Sequence, residues 1–257
     1  MAHASVVMLM SVDISGSTAF KTTVVDDQGS PKWIDAFAAF FAELPLHLMG
    51  QVAAHSAHRS DVPDFSVWKV MGDEILFIAK PRDIDEARLF VAALRQATLD
   101  FDRSLAERWP LHVRSAAWGA AIGSRNRAIE IPEMPGQRDG SPYLDYLGPD
   151  IDIGFRLSGH ARAGELIIAP LLAESLCARP NPEIELHAVG AESLKGVAQG
   201  RPVPLILATK ASEGGRTRPG AMTGGGASPS LLAQLRRWRE EAAAWSPLSA
   251  PGPLPLE

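Results

Sequence analysis

The stretch Ala4-Ser5-Val6-Val7-Met8-Leu9-Met10-Ser11-Val12-Asp13-Ile14-Ser15-Gly16-Ser17-Thr18 decides the architecture. Ala4 to Val12 is an essentially unbroken apolar run with β-branched residues, the pattern of a strand buried on both faces. Asp13 to Thr18 then has the composition of a turn. Asp13 stops the apolar run after too few residues to span a bilayer, and no basic region precedes it, so the run predicts a core strand, with neither export nor a membrane anchor.

Outward from this strand, Trp33, Phe37, Phe40, Phe41, Leu44, Leu48 and Val52 recur at helical spacing, with Pro45 expected to bend or divide the helix. Phe65 to Met71 and Glu74 to Ala79 read as two strands joined by a tight turn at Gly72-Asp73. Ile84 to Trp109 reads as a second helix and Leu111 to Ile122 as a strand. After a Pro/Gly-rich loop from Ile131 to Pro149, Ile151, Phe155 and Leu157 mark a third amphipathic helix. Glu165 to Ala169, Ile184 to Val189 and Val203 to Ala208 are shorter strands. The order β, α, β, β, α, β and then further αβ elements predicts an α+β, ferredoxin-like fold with a mixed sheet covered by helices.

The chain has 257 residues, with 25 Lys+Arg against 30 Asp+Glu, so the net charge is −5. An acidic chain lacks the broad positive field of non-specific nucleic-acid binding. The single cysteine, Cys177, excludes an intrachain disulfide framework and points to a reducing compartment, hence to the cytoplasm. Residues 209–257 hold 7 of the 22 glycines and 6 of the 20 prolines. A folded body, 1–208, followed by a flexible tail, 209–257, is therefore expected. Within the tail, Leu231, Leu235, Trp238, Ala242 and Trp245 form a helical stripe over about 230–245, with Ser230 as N-cap, Pro247 as terminator and a basic face from Arg236, Arg237 and Arg239. Such a helix either folds back on the acidic body or docks a partner.

Two carboxylates close to glycine are the candidates for chemistry, each of which alone also reads as a strand-end cap or a turn residue. Asp13 precedes Gly16 at the end of the first strand, and Asp73 follows Gly72 in the hairpin. If the first strand lies beside the hairpin, both emerge at one edge of the sheet, where two hard oxygen ligands suit one or two Mg²⁺ or Mn²⁺ ions shared with substrate phosphates. The backbone amides of Ser15 to Thr18 suit a phosphate tail, which makes Gly16, Ser17 and Thr18 candidate substrate contacts. The seven histidines show no ligand spacing beyond His55 and His58, which read as surface residues.

Four segments occur in order: Asp13-Ile14-Ser15-Gly16-Ser17-Thr18, Lys69-Val70-Met71-Gly72-Asp73-Glu74, Gly148-Pro149-Asp150-Ile151-Asp152-Ile153-Gly154-Phe155-Arg156-Leu157 and Leu194-Lys195-Gly196-Val197. Together they resemble the motifs of the class III nucleotidyl cyclase catalytic domain, from about residue 5 to 208. The resemblance implies that fold, and a two-metal cyclisation of a nucleoside triphosphate to a 3′,5′-cyclic nucleotide and diphosphate. It also implies a head-to-tail homodimer with composite active sites at its interface. Residue by residue it implies Asp13, Asp73 and the carbonyl of Ile14 as ligands of two Mn²⁺ or Mg²⁺ ions, Arg156 stabilising transition-state charge, Lys195 on the outer phosphates, and Lys69 with Asp145 reading the base. The metal carboxylates serve one site and the base readers the partner's.

Asp152 departs from the family, which usually carries there an asparagine bonded to the ribose; a carboxylate can accept from a ribose hydroxyl but not donate. A donor, Lys69, beside an acceptor, Asp145, fits adenine, uracil and cytosine alike. The rings of Trp68, Tyr146 and Phe155 lie next to the matching positions, where they either fill the space of a purine's second ring or belong to the core. The cyclase motif opens within a few residues of Met1, so no sensor domain is expected upstream. With the Trp33…Phe40-Phe41 helix, the long insertion before Lys69 and the Gly148-Pro149-Asp150-Ile151-Asp152 string, the chain resembles the stand-alone pyrimidine cyclases of bacterial Pycsar anti-phage systems. That resemblance implies cyclic UMP, made from UTP and sensed by a separate effector that kills or arrests the infected cell. The alternatives are a cytidylate or adenylate cyclase, or a non-catalytic nucleotide-binding module, the last motivated by Asp152.

Overall fold

The computed structural model describes residues 5–23, 31–132, 142–178, 183–210, 229–245 and 251–256. In chain order the strands are β1 (Val6–Ser15), β2 (Phe65–Met71), β3 (Glu74–Ala79), β4 (His112–Ala121), β5 (Arg127–Glu130), β6 (Leu144–Leu147), β7 (Leu166–Ile168), β8 (Ile184–Ser193) and β9 (Pro202–Lys210). The helices are α1 (Ser17–Thr23), α2 (Trp33–His55), α3 (Ile84–Arg108), α4 (Pro149–Ser158), α5 (Pro170–Cys177) and α6 (Pro229–Trp245). Seven strands form one mixed sheet in the order β2-β3-β1-β4-β7-β9-β8, and β5 pairs with β6 in a separate ribbon. β4 and β7 are parallel, while the other neighbours in the large sheet are antiparallel.

β1 lies between β3 and β4, so both its edges and both its faces are covered, as its apolar composition requires. It runs on through Ser15, so Asp13 is a strand residue paired across the sheet and the turn starts only at Gly16. The expected turn at 13–15 is displaced because Asp13 has partners on both sides, Glu74 on β3 and Arg114 on β4. Ala4 lies outside the described residues. The hairpin of β2 and β3 has the expected bounds, with a bulge at Trp68 that places both Val67 and Lys69 in the ladder and leaves the tryptophan as the extra residue.

α2 passes through Pro45 undivided. It is long and apolar enough by composition to cross a bilayer, yet its row Ala36, Phe37, Phe40, Leu44, Leu48 and Val52 is buried against the body. Phe40 meets Phe101 of α3 at 5.9 Å, and Gln51 Nε2 donates to Asp100 Oδ2 at 3.0 Å. Packing along 23 residues outweighs the lost hydrogen bond at Pro45. α3 starts where Asp83 accepts from the Glu86 amide at 2.8 Å.

The region expected to be loop from Ile131 to Pro149 contains β6, which pairs with β5; residues 133–141 lie outside the described residues. α4 follows Gly148, whose φ of +147° and 2.7 Å approach of a built Cβ to the Arg125 carbonyl leave room for glycine alone. Asn126 ties this start down: its Oδ1 accepts from the Asp150 amide at 3.2 Å, and its Nδ2 donates to Asp150 Oδ2 at 2.8 Å. Halfway along α4, Gly154 lies flat on the indole of Trp118, and a Cβ there would be 2.2 Å from the ring.

α6 forms over the expected stripe and lies against α5. Leu231, Leu235, Trp238 and Ala242 are buried, and Arg239 grips Glu174 with bonds of 2.8 and 3.1 Å. The helix therefore folds back on the body; Pro247, its expected terminator, lies outside the described residues. The opposed glycines Gly154 and Gly50 give a test. Gly154→Ala should cost roughly 2–3 kcal/mol by overpacking a fully buried tryptophan. Gly50→Ala, facing open space on α2, should gain about 0.5–1 kcal/mol of helix propensity. Urea-denaturation midpoints of the two variants should move in opposite directions.

Candidate active site

One cluster sits at the end of the sheet where β1 finishes. Asp13 pairs with Glu74 on one side and Arg114 on the other, so these three side chains share one sheet face. Asp73 is brought alongside by the hairpin turn, its carbonyl accepting from the Ile14 amide at 3.1 Å. The expectation that both carboxylates emerge at one edge of the sheet is thus met, with Ile14 between them.

Each carboxylate is oriented by its own donor. Arg114 Nε donates to Asp13 Oδ2 at 2.7 Å, and a second Arg114 nitrogen donates to the Gly159 carbonyl at 3.3 Å, joining the end of α4 to the cluster. The Ser17 hydroxyl, buried at the start of α1, donates to Asp73 Oδ2, and the Ser11 hydroxyl donates to Glu74. The Ser17 hydroxyl thus orients a carboxylate, a bond that leaves untouched the backbone amide on which the phosphate expectation rests. Thr18 is exposed and carries no side-chain bond to the cluster, and Gly16, with φ +83°, turns the chain from β1 into α1.

Burial pushes the Asp13 carboxyl up; Arg114 opposes this, and neighbouring Asp73 adds to it. Glu74 is also raised, first by burial and then by the charges of Asp13 and Asp73, against the bond from Ser11 and the charge of Arg114. A site that holds carboxylates against their own repulsion is short of positive charge and fits a divalent cation. Among the described residues no group of three or more His, Cys, Asp and Glu side chains has metal-holding geometry. Asp13 and Asp73 are the two groups here that could hold such an ion.

A second cluster lies on β2 and β6. Lys69 Nζ donates to Asp145 Oδ1 at 2.6 Å, so the two residues expected to act together do meet, within one chain. Lys69 also lies 4.3 Å over the Trp68 ring, and the Trp68 Nε1 donates to the Leu144 carbonyl at 3.0 Å. Beneath them Trp68 meets Tyr146 at 5.6 Å and Phe155 at 6.3 Å, and Phe155 meets Trp118 at 5.2 Å. Trp68 and Tyr146 are buried, so the rings are both core and the floor below the Lys69–Asp145 pair.

Asp152 and Arg156, one helical turn apart, share the exposed side of α4, and neither has a side-chain partner among the described residues. Lys195 is exposed in the turn between β8 and β9. The register fixes how far it is from the first cluster. Ala208 on β9 is level with Leu166, Ser115 and Val12, while Pro202, paired with Ser193 beside the turn, lies six residues away. Lys195 thus sits about 20 Å along the strand direction from the paired carboxylates, at the opposite end of the sheet. His55 pairs with Glu183 at 3.1 Å and His58 is exposed, as a surface reading expects.

Arg114 and Glu74 escaped the motif reading. Arg114 was marked only by being a cation inside the apolar strand predicted over Leu111 to Ile122. Glu74 was hidden in plain view beside Asp73.

No family model matches the sequence, and no curated protein matches it. Solved structures do. The adenylyl cyclase CyaB from P. aeruginosa is similar with a TM-score of 0.57 at 15% identity, over 80% of this chain and 94% of that one. The guanylate cyclase domain of RhGC from Catenaria anguillulae, solved in complex with GTP, gives 0.53 at 13% identity over 80% and 97%. An adenylate cyclase from Trypanosoma brucei, in its monomeric state, gives 0.52 at 17% identity over 83% and 91%. The expected fold, that of class III cyclase domains, is therefore the one observed.

The raised carboxyls set a pH signature for the protein freed of divalent ions. Because folding raises the Glu74 pKa, the folded chain binds more protons than the unfolded one above the ordinary glutamate value. The stability tied to this group is thus present below that value and lost as pH rises through the folded pKa. Glu74→Gln should be more stable than wild type near neutrality, and the gain should vanish in acid. Denaturant midpoints across pH in the presence of a chelator read this out.

Proposed function

We propose that this chain is a divalent-metal-dependent nucleotidyl cyclase that works as a head-to-tail homodimer and converts UTP to 3′,5′-cyclic UMP and diphosphate. The observation that carries the reading is the division of the charged residues. Paired carboxylates end β1, and the exposed cation Lys195 stands about 20 Å away at the other end of the same sheet. One triphosphate cannot bridge both ends of one chain. Two chains packed head to tail would bring the carboxylates of one towards Lys195 of the other, and on this reading Lys69 and Asp145 serve the partner's site as well.

Asp13 and Asp73, with the Ile14 carbonyl, would hold two Mn²⁺ or Mg²⁺ ions, which when bound neutralise the triphosphate and make the ribose 3′-hydroxyl easier to deprotonate. Arg114 and Ser17 keep the two carboxylates turned to that task. From the partner, Arg156 would meet the charge that builds on the α-phosphate and diphosphate as the 3′-oxygen attacks in line, and Lys195 would hold the outer phosphates. Asp152 would accept from a ribose hydroxyl.

Lys69 and Asp145 would read the base, as donor and acceptor 2.6 Å apart. The preference for a pyrimidine rests on the rings beneath them: Trp68 and Tyr146 are buried against each other at 5.6 Å, and on this reading they fill the space that a purine's second ring would need. Adenine is the second reading, because N1 accepts and N6 donates in the same polarity. A separate effector that senses cyclic UMP, as in anti-phage defence, completes the biological proposal.

Incubating the chain with each of the four NTPs and Mn²⁺ should yield a cyclic product from UTP. Cyclic AMP alone would replace the pyrimidine reading with the adenine one, and no product in any tube would favour a nucleotide-binding module. Asp13→Asn and Asp73→Asn should each lower kcat at least about a hundredfold while the dimer persists by light scattering. An equal mixture of Asp73→Asn and Lys69→Ala chains should recover about a quarter of wild-type activity, since half the dimers are mixed and each has one intact site. A mixture no more active than its two components would refute composite sites.

A further inference from the structure

On β4, Trp118 faces α4, so the next residue, Gly119, faces the other side, where α3 and α5 cover the sheet. The space above Gly119 is filled by Leu254: a Cβ built on the glycine would lie 2.5 Å from Leu254 Cδ1. Leu254 is 6% exposed, as buried as many core residues, and Pro251 beside it is buried too. Residues 251–256 thus lie as a strap in a groove walled by Ile84 of α3, Glu174 of α5 and Arg236 of α6.

Three properties make this strap a ligand rather than a simple continuation of the core. No hydrogen bond joins residues 251–256 to the other described residues; the bond from the Leu256 amide to the Leu254 carbonyl, 2.8 Å, is internal. Apolar burial alone holds it. Next, Pro251, Pro253 and Pro255 preset the backbone, so a segment of this composition loses little freedom on binding. Finally, the strap leaves a cavity of 230 Å³ beside Pro253 and Leu256, so the groove has room for more than its present occupant.

We propose that this groove, on the side of the sheet opposite α4, is a peptide-binding site, held in cis by Pro251–Leu256 and open to an intermolecular peptide of the same chemistry, an uncharged leucine flanked by prolines. The tether keeps it closed by effective concentration, on the order of millimolar for a short linker, even though the seat itself has no polar anchor. An incoming peptide must therefore be either abundant or better fitted to the vacant volume. The site is independent of the cyclase reading, and its test reads binding rather than turnover.

The probe is a fluorescent peptide spanning residues 250–257, titrated by anisotropy against full-length chains. Leu254→Asp, which ejects the strap, should bind the peptide at least about tenfold more tightly than wild type, where the cis copy competes. Adding Gly119→Val to Leu254→Asp should abolish binding by filling the notch. Equal binding to wild type and Leu254→Asp, or binding indifferent to Gly119→Val, overturns the proposal. A second measurement covers the case in which Leu254→Asp fails to fold. Gly119→Ala should lower Tm in the wild-type background and do so much less in Leu254→Ala, because the two side chains contend for one space. Additive shifts would show that Leu254 does not occupy the notch.

Discussion

Antiparallel register forces Asp13 and Glu74 to face each other across β1 and β3. Like charges directly opposite in a sheet repel, so the end of β1 stands only because other groups absorb that repulsion. Arg114 from β4 takes one side of Asp13, Ser11 takes Glu74, and Ser17 from the start of α1 takes Asp73. Each of these donors comes from a different position in the fold, and Arg114 also reaches the end of α4. The cluster is thus a junction where β1, the hairpin, β4 and two helices meet through charge.

The same register separates what it assembles. A sheet strand is long compared with a triphosphate, so groups at its two ends cannot serve one ligand in one chain. Lys69 and Asp145, by contrast, come from β2 and β6, in different sheets, yet meet at 2.6 Å because the bulge at Trp68 and the β5–β6 ribbon bring them together. The chain therefore builds two coherent half-surfaces, and on the proposed reading pairing of chains completes both at once.

Much of this was legible in the residues. Periodicity located α2, the β2–β3 hairpin, α3 and β4, because long amphipathic or apolar runs state their own period. That Asp13 and Asp73 lie together was legible from the strand order, which sets the end of β1 beside the hairpin; each alone reads as a cap or a turn. What escaped depended on partners far away in sequence. Pro45 looked like a break, since the packing of Phe40 on Phe101 that carries the helix past it joins residues about sixty positions apart. β6 hid inside a Pro/Gly-rich stretch, as a four-residue strand has too little periodicity to show. The bond from the Ser17 hydroxyl to Asp73 was hidden because it joins residues 56 positions apart. The aromatic rings had two readings, core or filler of the space a purine's second ring would need; the burial of Trp68 and Tyr146 bears out the first.

The contact of Gly154 with Trp118 bears on how such a chain can change over evolutionary time. α4 is pinned at its start by Asn126 and Gly148 and pressed at its middle onto an immovable indole, so it can neither slide nor roll without tearing the centre of the sheet. Asp152 and Arg156 are carried on the outward side of this fixed mount. New preferences at these positions have to arise by exchanging one side chain for another, like keys on a board, because the board itself does not move. An exchange such as Asp152→Asn, on the exposed side of α4, would leave the helix that bears it undisturbed.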